Sequence, residues 1–235
     1  MSRSENVSVE RFLDLFFSVL ALMLLSPLLM PIALLLKLSG EGEVFFVQRR
    51  VGRSGRAFSL FKFATMLKNS PDIGTGTVTI KDDPRVLPVG KLLRKTKINE
   101  LPQLWNVLIG DMSIVGPRPL TLQTFSSYAT RTQSLVKQVR PGLSGIGSII
   151  FRGEEEIMYG GAASVEFYDN TIAPYKGELE EWFVSHKSLG IYFKIIFVTL
   201  WVVLFQRSQL AWTIFHELPE PPRELKRVLN YPEVD

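Results

Sequence analysis

The sequence predicts an α/β (α+β) fold, mostly helical, in a monotopic membrane protein: an N-terminal re-entrant helix-break-helix, amphipathic interfacial helices and a small β-hairpin or sheet. Three observations predict it: an uncharged apolar run near the N-terminus, a pair of prolines inside that run, and a remainder in which short β-rich stretches give way to segments of helical period. The 235 residues suffice for one good-sized domain with its own core. They divide into a re-entrant membrane segment over 1–40, a cytoplasmic domain with interfacial helices over 41–216 and a Pro-rich, charged tail over 217–235.

The apolar run is "LFFSVLALMLLSPLLMPIALLL", Leu15 to Leu36, 22 residues without a charge. As a helix it reaches about 33 Å, enough for a hydrocarbon core of about 30 Å. No small-residue cleavage site closes it, which argues against a signal peptide. Pro27 and Pro31 each remove an amide donor and crowd the carbonyl four residues back, so the helix is expected to bend at Ser26-Pro27, with the Ser26 hydroxyl able to return a donor to a freed carbonyl. Arg3 and Arg11 precede the run and Lys37, Arg49, Arg50, Arg53 and Arg56 follow it. Both flanks therefore prefer the cytoplasm, and a bent helix that enters and leaves one leaflet satisfies both. A second apolar stretch, Leu189 to Gln206, is broken by Lys194, leaving eleven residues from Ile195 to Phe205 free of charge or amide. That is too short to span. It reads equally as a core helix or as an interfacial one with Tyr192, Trp201 and Trp212 at headgroup level.

Between these segments, Glu43 to Met66 reads as two β-branched and aromatic strands around the turn "GRSGR". "NSPDIGTGTVTIKDDPRVLPVG" has the composition of a long surface loop, and "KLLRKTKI" of a basic helix. Leu101, Leu104, Trp105 and Leu108 recur at helical spacing, predicting a helix over Glu100 to Ile109 with Asn99 as its N-cap, Glu100 against the dipole and Pro102 in the first turn. "SSYATRTQSLVKQV" predicts a polar helix stopped at Arg140-Pro141-Gly142. Another helix is expected over Glu154 to Tyr175, and the tail "ELPEPPRELKRVLNYPEVD" reads as extended or loosely held.

The net charge is +4, with 27 Lys and Arg against 23 Asp and Glu, and there are no cysteines and two histidines. Thiolate chemistry and disulfides are excluded, and a His-rich metal site or a Ser-His-Asp triad is disfavoured. What remains is chemistry by carboxylates, Lys and Arg with a hard, oxygen-seeking cation such as Mg²⁺. A nucleic-acid partner is not expected: the Arg49–Arg56 cluster follows the membrane run directly, and the aromatics sit in apolar strings rather than among basic residues. Within twenty residues of Glu100 lie Arg94, Lys95, Lys97, Asp111 and Arg118. Arg118, held between Pro117 and Pro119, offers planar paired donors suited to phosphate.

Taken together, "VFFVQRRVGRSGRAFSLFKFATM", "KDDPRVLPVGKLLRKTKINELPQLWNVLIGDMSIVGPRPL" and "RPGLSG", with the proline-broken N-terminal run, resemble the bacterial sugar transferases, monotopic polyprenol-phosphate phosphoglycosyl transferases. The similarity extends over about Val9 to Leu204, the family's minimal catalytic unit. The resemblance implies transfer of a sugar-1-phosphate from a UDP-sugar to undecaprenyl phosphate with release of UMP and with Mg²⁺, the first membrane step of exopolysaccharide, capsule or O-antigen assembly. It implies a bacterial inner-membrane location with the catalytic domain on the cytoplasmic face and the lipid bilayer as a partner; a homodimer stays open. By motif, Asn99 and Glu100 occupy the catalytic and metal-ligating positions, and Lys62, Arg94 and Arg118 functional ones that would bind substrate. Arg140 and Asp169 are further substrate-contact candidates, and Ser26-Pro27 is the re-entrant break.

One departure matters. Where the family usually has Asp-Glu, with the Asp as covalent nucleophile, this chain has Asn99-Glu100. Ala64 also replaces a usual Arg, and "GIGSIIFRGEEE" replaces a "GWAQVNGR"-like run. An amide is neither charged nor a useful nucleophile. Three accounts stay open: Glu100 acts as nucleophile; the lipid phosphate attacks directly, with Asn99 offering its carbonyl oxygen to Mg²⁺; or the chain is a silent homologue that binds nucleotide sugar or scaffolds an assembly.

Overall fold

The computed structural model describes residues 3–39, 41–74, 79–158, 165–205 and 208–232; residue 40, at the expected first boundary, and residues 233–235 of the tail lie outside it. It opens with one helix, α1 (Arg3–Leu38), that is helical through both Pro27 and Pro31. The break expected at Ser26-Pro27 does not interrupt the helix. The Met23 carbonyl, deprived of its amide partner by Pro27, accepts from Ser26 Oγ at 2.9 Å, so the turn stays closed. By length and composition α1 can cross a membrane. Phe12, Phe16, Met23, Leu24, Met30 and Leu34 stand exposed along it.

Both ends of α1 are nevertheless held by the same body of protein. Near its start, Arg11 donates to the Val107 and Leu108 carbonyls at 2.6 and 2.8 Å. Asp14, 1% exposed, accepts from Ser113 Oγ, the Ile114 amide and Tyr192 OH, each at 3.0 Å. Near its end, Leu36 is buried against Phe63 and Leu93.

Strands β1 (Phe45–Val51) and β2 (Ala57–Phe63) form the expected antiparallel hairpin, Phe46 facing Lys62. The "GRSGR" turn needs left-handed backbone, supplied at Ser54 and Gly55. In the described parts of the following loop, Arg85, 5% exposed, pairs with Asp83 at 2.6 Å and donates to the Ser70 and Ile73 carbonyls. Then come α2 (Pro88–Lys95), a 3₁₀ turn over Ile98–Glu100 and α3 (Gln103–Ile109). Asn106, fully buried, staples α3 to β2 by accepting from the Phe61 amide and donating to the Ser59 carbonyl.

A second, parallel pair joins β3 (Ser113–Val115) to β4 (Gly142–Ser144). The two glycine-bearing motifs lie against one another here, since a Cβ on Gly142 would sit 2.0 Å from the Gly116 nitrogen. The polar segment between them is broken into α4 (Leu122–Ser126) and α5 (Thr130–Val136) because Tyr128 turns inward to 4% exposure. After α6 (Ile146–Ile150), the helix expected over 154–175 is also discontinuous: α7 (Glu154–Ile157) is short, and a π turn over Tyr168–Ile172 leads into α8 (Ala173–His186).

Helix α9 (Leu189–Leu204) has a core face, as the first of its two readings expects, and an apolar face left exposed. Tyr192, Ile195, Val198 and Val202 are buried at helical spacing, while Phe193, Phe197, Leu200, Trp201 and Leu204 are exposed on the other side. Of the three aromatics expected at headgroup level only Trp201 is exposed; Tyr192 and Trp212 are in the core, their polar tips satisfied by Asp14 and by the Leu229 carbonyl. The tail is docked as well. After α10 (Leu210–Ile214) and α11 (Arg223–Lys226), Leu225 and Leu229 are buried, and Tyr175 OH donates to the Pro219 carbonyl at 2.7 Å.

Candidate active site

The wall of the hairpin begins the site. Phe46, Gln48 and Arg50 alternate along β1 toward one face, and Lys62 stands opposite Phe46 on β2. Across the cleft, α2 ends at Lys95 and the chain reverses at Lys97 through a left-handed conformation (φ 61°), which starts the Ile98–Glu100 turn and points Glu100 back at the strand. Arg118 enters from the Gly116-Pro117-Arg118-Pro119 turn after β3, whose position is set by Gly116 N donating to the Ser144 carbonyl and Gly142 N to the Pro117 carbonyl.

The three side chains meet at one atom. Glu100 Oε1 accepts from Lys62 Nζ at 3.1 Å and from Arg118 Nη2 at 3.2 Å. Burial alone would raise the Glu100 carboxyl, but the Lys62, Arg118 and Lys97 charges together outweigh it and hold Glu100 well below the usual carboxylate range. Burial brings the Lys62 ammonium down to about 8 against the pull of Glu100. Arg118 is raised, chiefly by Glu100.

Around this triad the described residues of the cleft include six cations, Arg50, Lys62, Arg94, Lys97, Arg118 and Lys176, and the carboxylates of Glu100 and Glu154. An excess of fixed positive charge in a concave, partly dry site favours an anionic ligand. Asn99 is 5% exposed and also lines the cleft, but not as the expected N-cap. It lies inside the 3₁₀ turn; α3 starts at Gln103 behind Pro102, and no side chain caps it. The Asn99 Oδ1 atom is buried without a hydrogen-bond partner. Such an atom is costly unless a ligand or ion meets it.

Two further sequence candidates lie elsewhere. Arg140 is turned away from the cleft, its Nε donating to the Gly110 carbonyl at 3.0 Å, because β4 pairing commits the Arg140-Pro141-Gly142 backbone to the Gly116 turn. Asp169 accepts from Ser127 Oγ at 2.8 Å on the exposed side of the π turn. Arg94 does line the cleft, with Nη1 3.6 Å from Met66 Sδ.

The structure adds residues that sequence reasoning passed over. Arg50, counted there only as a membrane flank, lines the cleft and donates to the Pro119 carbonyl, and burial lowers it to about 10. Lys176, 4% exposed, pairs with Glu154 at 2.6 Å and lies over the rings of Phe151 and Tyr168. Glu180, 1% exposed, accepts from the Arg118 amide, and burial pushes its carboxyl up to about 7. The alternation of β1 could have found Arg50; no local pattern marks Lys176 or Glu180.

The donors present fit Mg²⁺. Among the described residues no cluster of three or more His, Cys, Asp or Glu forms a protein cage. The ion ordinarily takes one or two protein oxygens and fills its shell with phosphate and water. Adjacent hard oxygens from the Glu100 carboxylate and the unpartnered Asn99 Oδ1 are such a pair.

A cationic cleft beside a long, exposed apolar helix defines a membrane-associated α/β protein built to receive anions. The family model for bacterial sugar transferases matches residues 5–206, and the chain belongs to that family. It is 37% identical over 199 residues to a UDP-N-acetylgalactosamine-undecaprenyl-phosphate N-acetylgalactosaminephosphotransferase of Aeromonas hydrophila, covering 83% of this chain and 44% of that protein. It is 36% identical over 164 residues to the exopolysaccharide production protein ExoY of Sinorhizobium fredii, covering 64% of this chain and 71% of that one. Over 200 residues it is 36% identical to a UDP-glucose:undecaprenyl-phosphate glucose-1-phosphate transferase of Escherichia coli, covering 83% and 40%. The chain thus spans less than half the length of the first and third of these relatives.

Proposed function

We propose that the protein transfers a sugar-1-phosphate from a UDP-sugar to undecaprenyl phosphate, releasing UMP, at the cytoplasmic face of the bacterial inner membrane. The observation that carries this reading is the Lys62–Glu100–Arg118 triad inside a six-cation cleft beside α1. Phosphoryl transfer asks a protein mainly to position groups and offset charge. Here Arg118 and Arg94 present forks for diphosphate oxygens, Lys62 adds a compact charge, and Glu100 holds Lys62 and Arg118 at a fixed spacing. Glu100 and Asn99 are the residues that would hold Mg²⁺, and the ion, when bound, neutralises charge on the diphosphate.

A one-sided membrane attachment is supported by the two ends of α1, since Arg11 and Asp14 dock on α3 and β3 while Leu36 docks on β2 and α2. A helix spanning both leaflets would carry one of these ends away from the domain. The outer faces of α1 and α9 then meet the hydrocarbon, which brings the cleft to the lipid phosphates.

The test is UMP release by the purified chain in lipid nanodiscs, with Mg²⁺, undecaprenyl phosphate and a panel of UDP-sugars. Turnover with at least one sugar is expected, and Glu100→Gln should lower it by about 100-fold or more, the scale of losing a preorganised charge in such a site. Absence of UMP with every sugar would remove this reading.

A further inference from the structure

We propose that this chain moves the phosphosugar in a single displacement, the acceptor's isoprenoid chain lying in an apolar chamber that ends at the same Glu100 and Arg118 that line the donor cleft. The inference rests on the proposed function and concerns its acceptor site and its order of events.

The chamber lies between α1, the turn that carries Glu100, and α9. Leu25, Leu28, Leu101, Ile114, Ile196 and Leu200 supply its apolar walls, and its volume is about 430 Å³ against about 190 Å³ for the polar cleft. The two cavities share a boundary: Lys97, Glu100, Arg118, Glu154 and Lys176 line both. A ligand that satisfies this shape has a long apolar part and an anionic head: the walls give a hydrocarbon chain somewhere to bury its surface, and the shared boundary gives its phosphate cations to meet. The walls also belong to helices whose outer faces are exposed and apolar, so the chain can enter from the bilayer without crossing water.

Among its described residues the cleft offers no group suited to carry the phosphosugar in between. The chain has no cysteine. Among the described residues of the lining, Glu154 is paired with Lys176, and Glu100 receives two cations, Lys62 and Arg118, on one oxygen. Residue 99 is an uncharged amide, and no histidine lines the cleft to activate its hydroxyls. An acceptor phosphate is anionic without help. One of its non-bridging oxygens attacks the β-phosphorus of the UDP-sugar, a new P–O–P bond forms, and the bond from that phosphorus to the bridging oxygen breaks with its electron pair leaving on UMP. No proton has to be moved.

Single-turnover assays of the full chain in nanodiscs test the order of events. Without undecaprenyl phosphate, the expected result is neither stoichiometric UMP nor a mass adduct on the intact protein; with it, UMP forms and double-reciprocal plots intersect. A UMP burst or a phosphosugar adduct in the absence of lipid would overturn single displacement while leaving the transferase reading standing. Wild-type silence with lipid, alongside turnover by Asn99→Asp, would overturn it too, by showing that residue 99 had to supply a nucleophile. The chamber is tested by Leu28→Trp and Leu200→Trp, both at half-exposed or exposed sites. Each should raise KM for the polyprenyl phosphate several-fold and leave KM for the UDP-sugar unchanged. Unchanged KM for the lipid in both would remove the chamber as its site.

Discussion

Lys62 in the triad and Glu180 beside it are two groups whose protonation falls close to neutrality, and they predict different things. Lys62 is brought down to about 8 by burial, so the free protein loses a cleft cation as pH rises past that value. kcat/KM for the UDP-sugar should therefore fall above pH about 8, and Lys62→Arg, which stays charged, should move that limb upward; a pH profile of UMP release for both proteins checks it. Glu180 is raised to about 7 by burial, above its unfolded value of 4.5. The folded state then binds the extra proton between those values, so stability is greatest below about 4.5 and declines as pH rises through 7, by at most about 3 kcal/mol. Melting temperatures measured from pH 5 to 8 should slope down in the wild type and less steeply in Glu180→Gln. Asn99 marks where residue-level reading succeeded in part: its departure from an acid was visible in the sequence, but its seat inside a 3₁₀ turn was not, because the left-handed reversal at Lys97 depends on Glu100 meeting strand β2.

Among the elements, the β1–β2 hairpin, α2, α3 and the apolar face of α9 were legible, since each has a period that local burial enforces. The breaks were not. Tyr128 interrupts α4 and α5 to enter the core, and the π turn at Tyr168–Ile172 sets Tyr168 under Lys176, both choices made by partners distant in sequence. The β3–β4 junction carries the sharpest element-scale prediction. Gly142→Ala would force a Cβ to 2.0 Å from the Gly116 nitrogen, where only backbone could yield, whereas Gly153→Ala meets nothing within 4 Å. The first should cost about 2 kcal/mol or more and displace the Arg118 turn, the second well under 1 kcal/mol; thermal unfolding and UMP release of the two variants distinguish them.

At the level of the whole molecule, the absence of cysteine makes topology directly measurable. Val9→Cys and Leu38→Cys lie at exposed positions near the two ends of α1. Both should be labelled by a membrane-impermeant maleimide in inverted inner-membrane vesicles and protected in spheroplasts. Labelling of one end from each side would mean a span and would defeat the one-sided attachment.

By itself the sequence determined the long apolar N-terminal helix, the hairpin and the identity of the charged residues, because apolar length, strand alternation and residue chemistry are local properties. Only the tertiary structure decided that Lys62, Glu100 and Arg118 converge on one oxygen while Arg140 and Asp169 turn away. Convergence depends on how a strand, a 3₁₀ turn and a proline-held loop pack, and that packing is set by contacts between residues far apart in the chain.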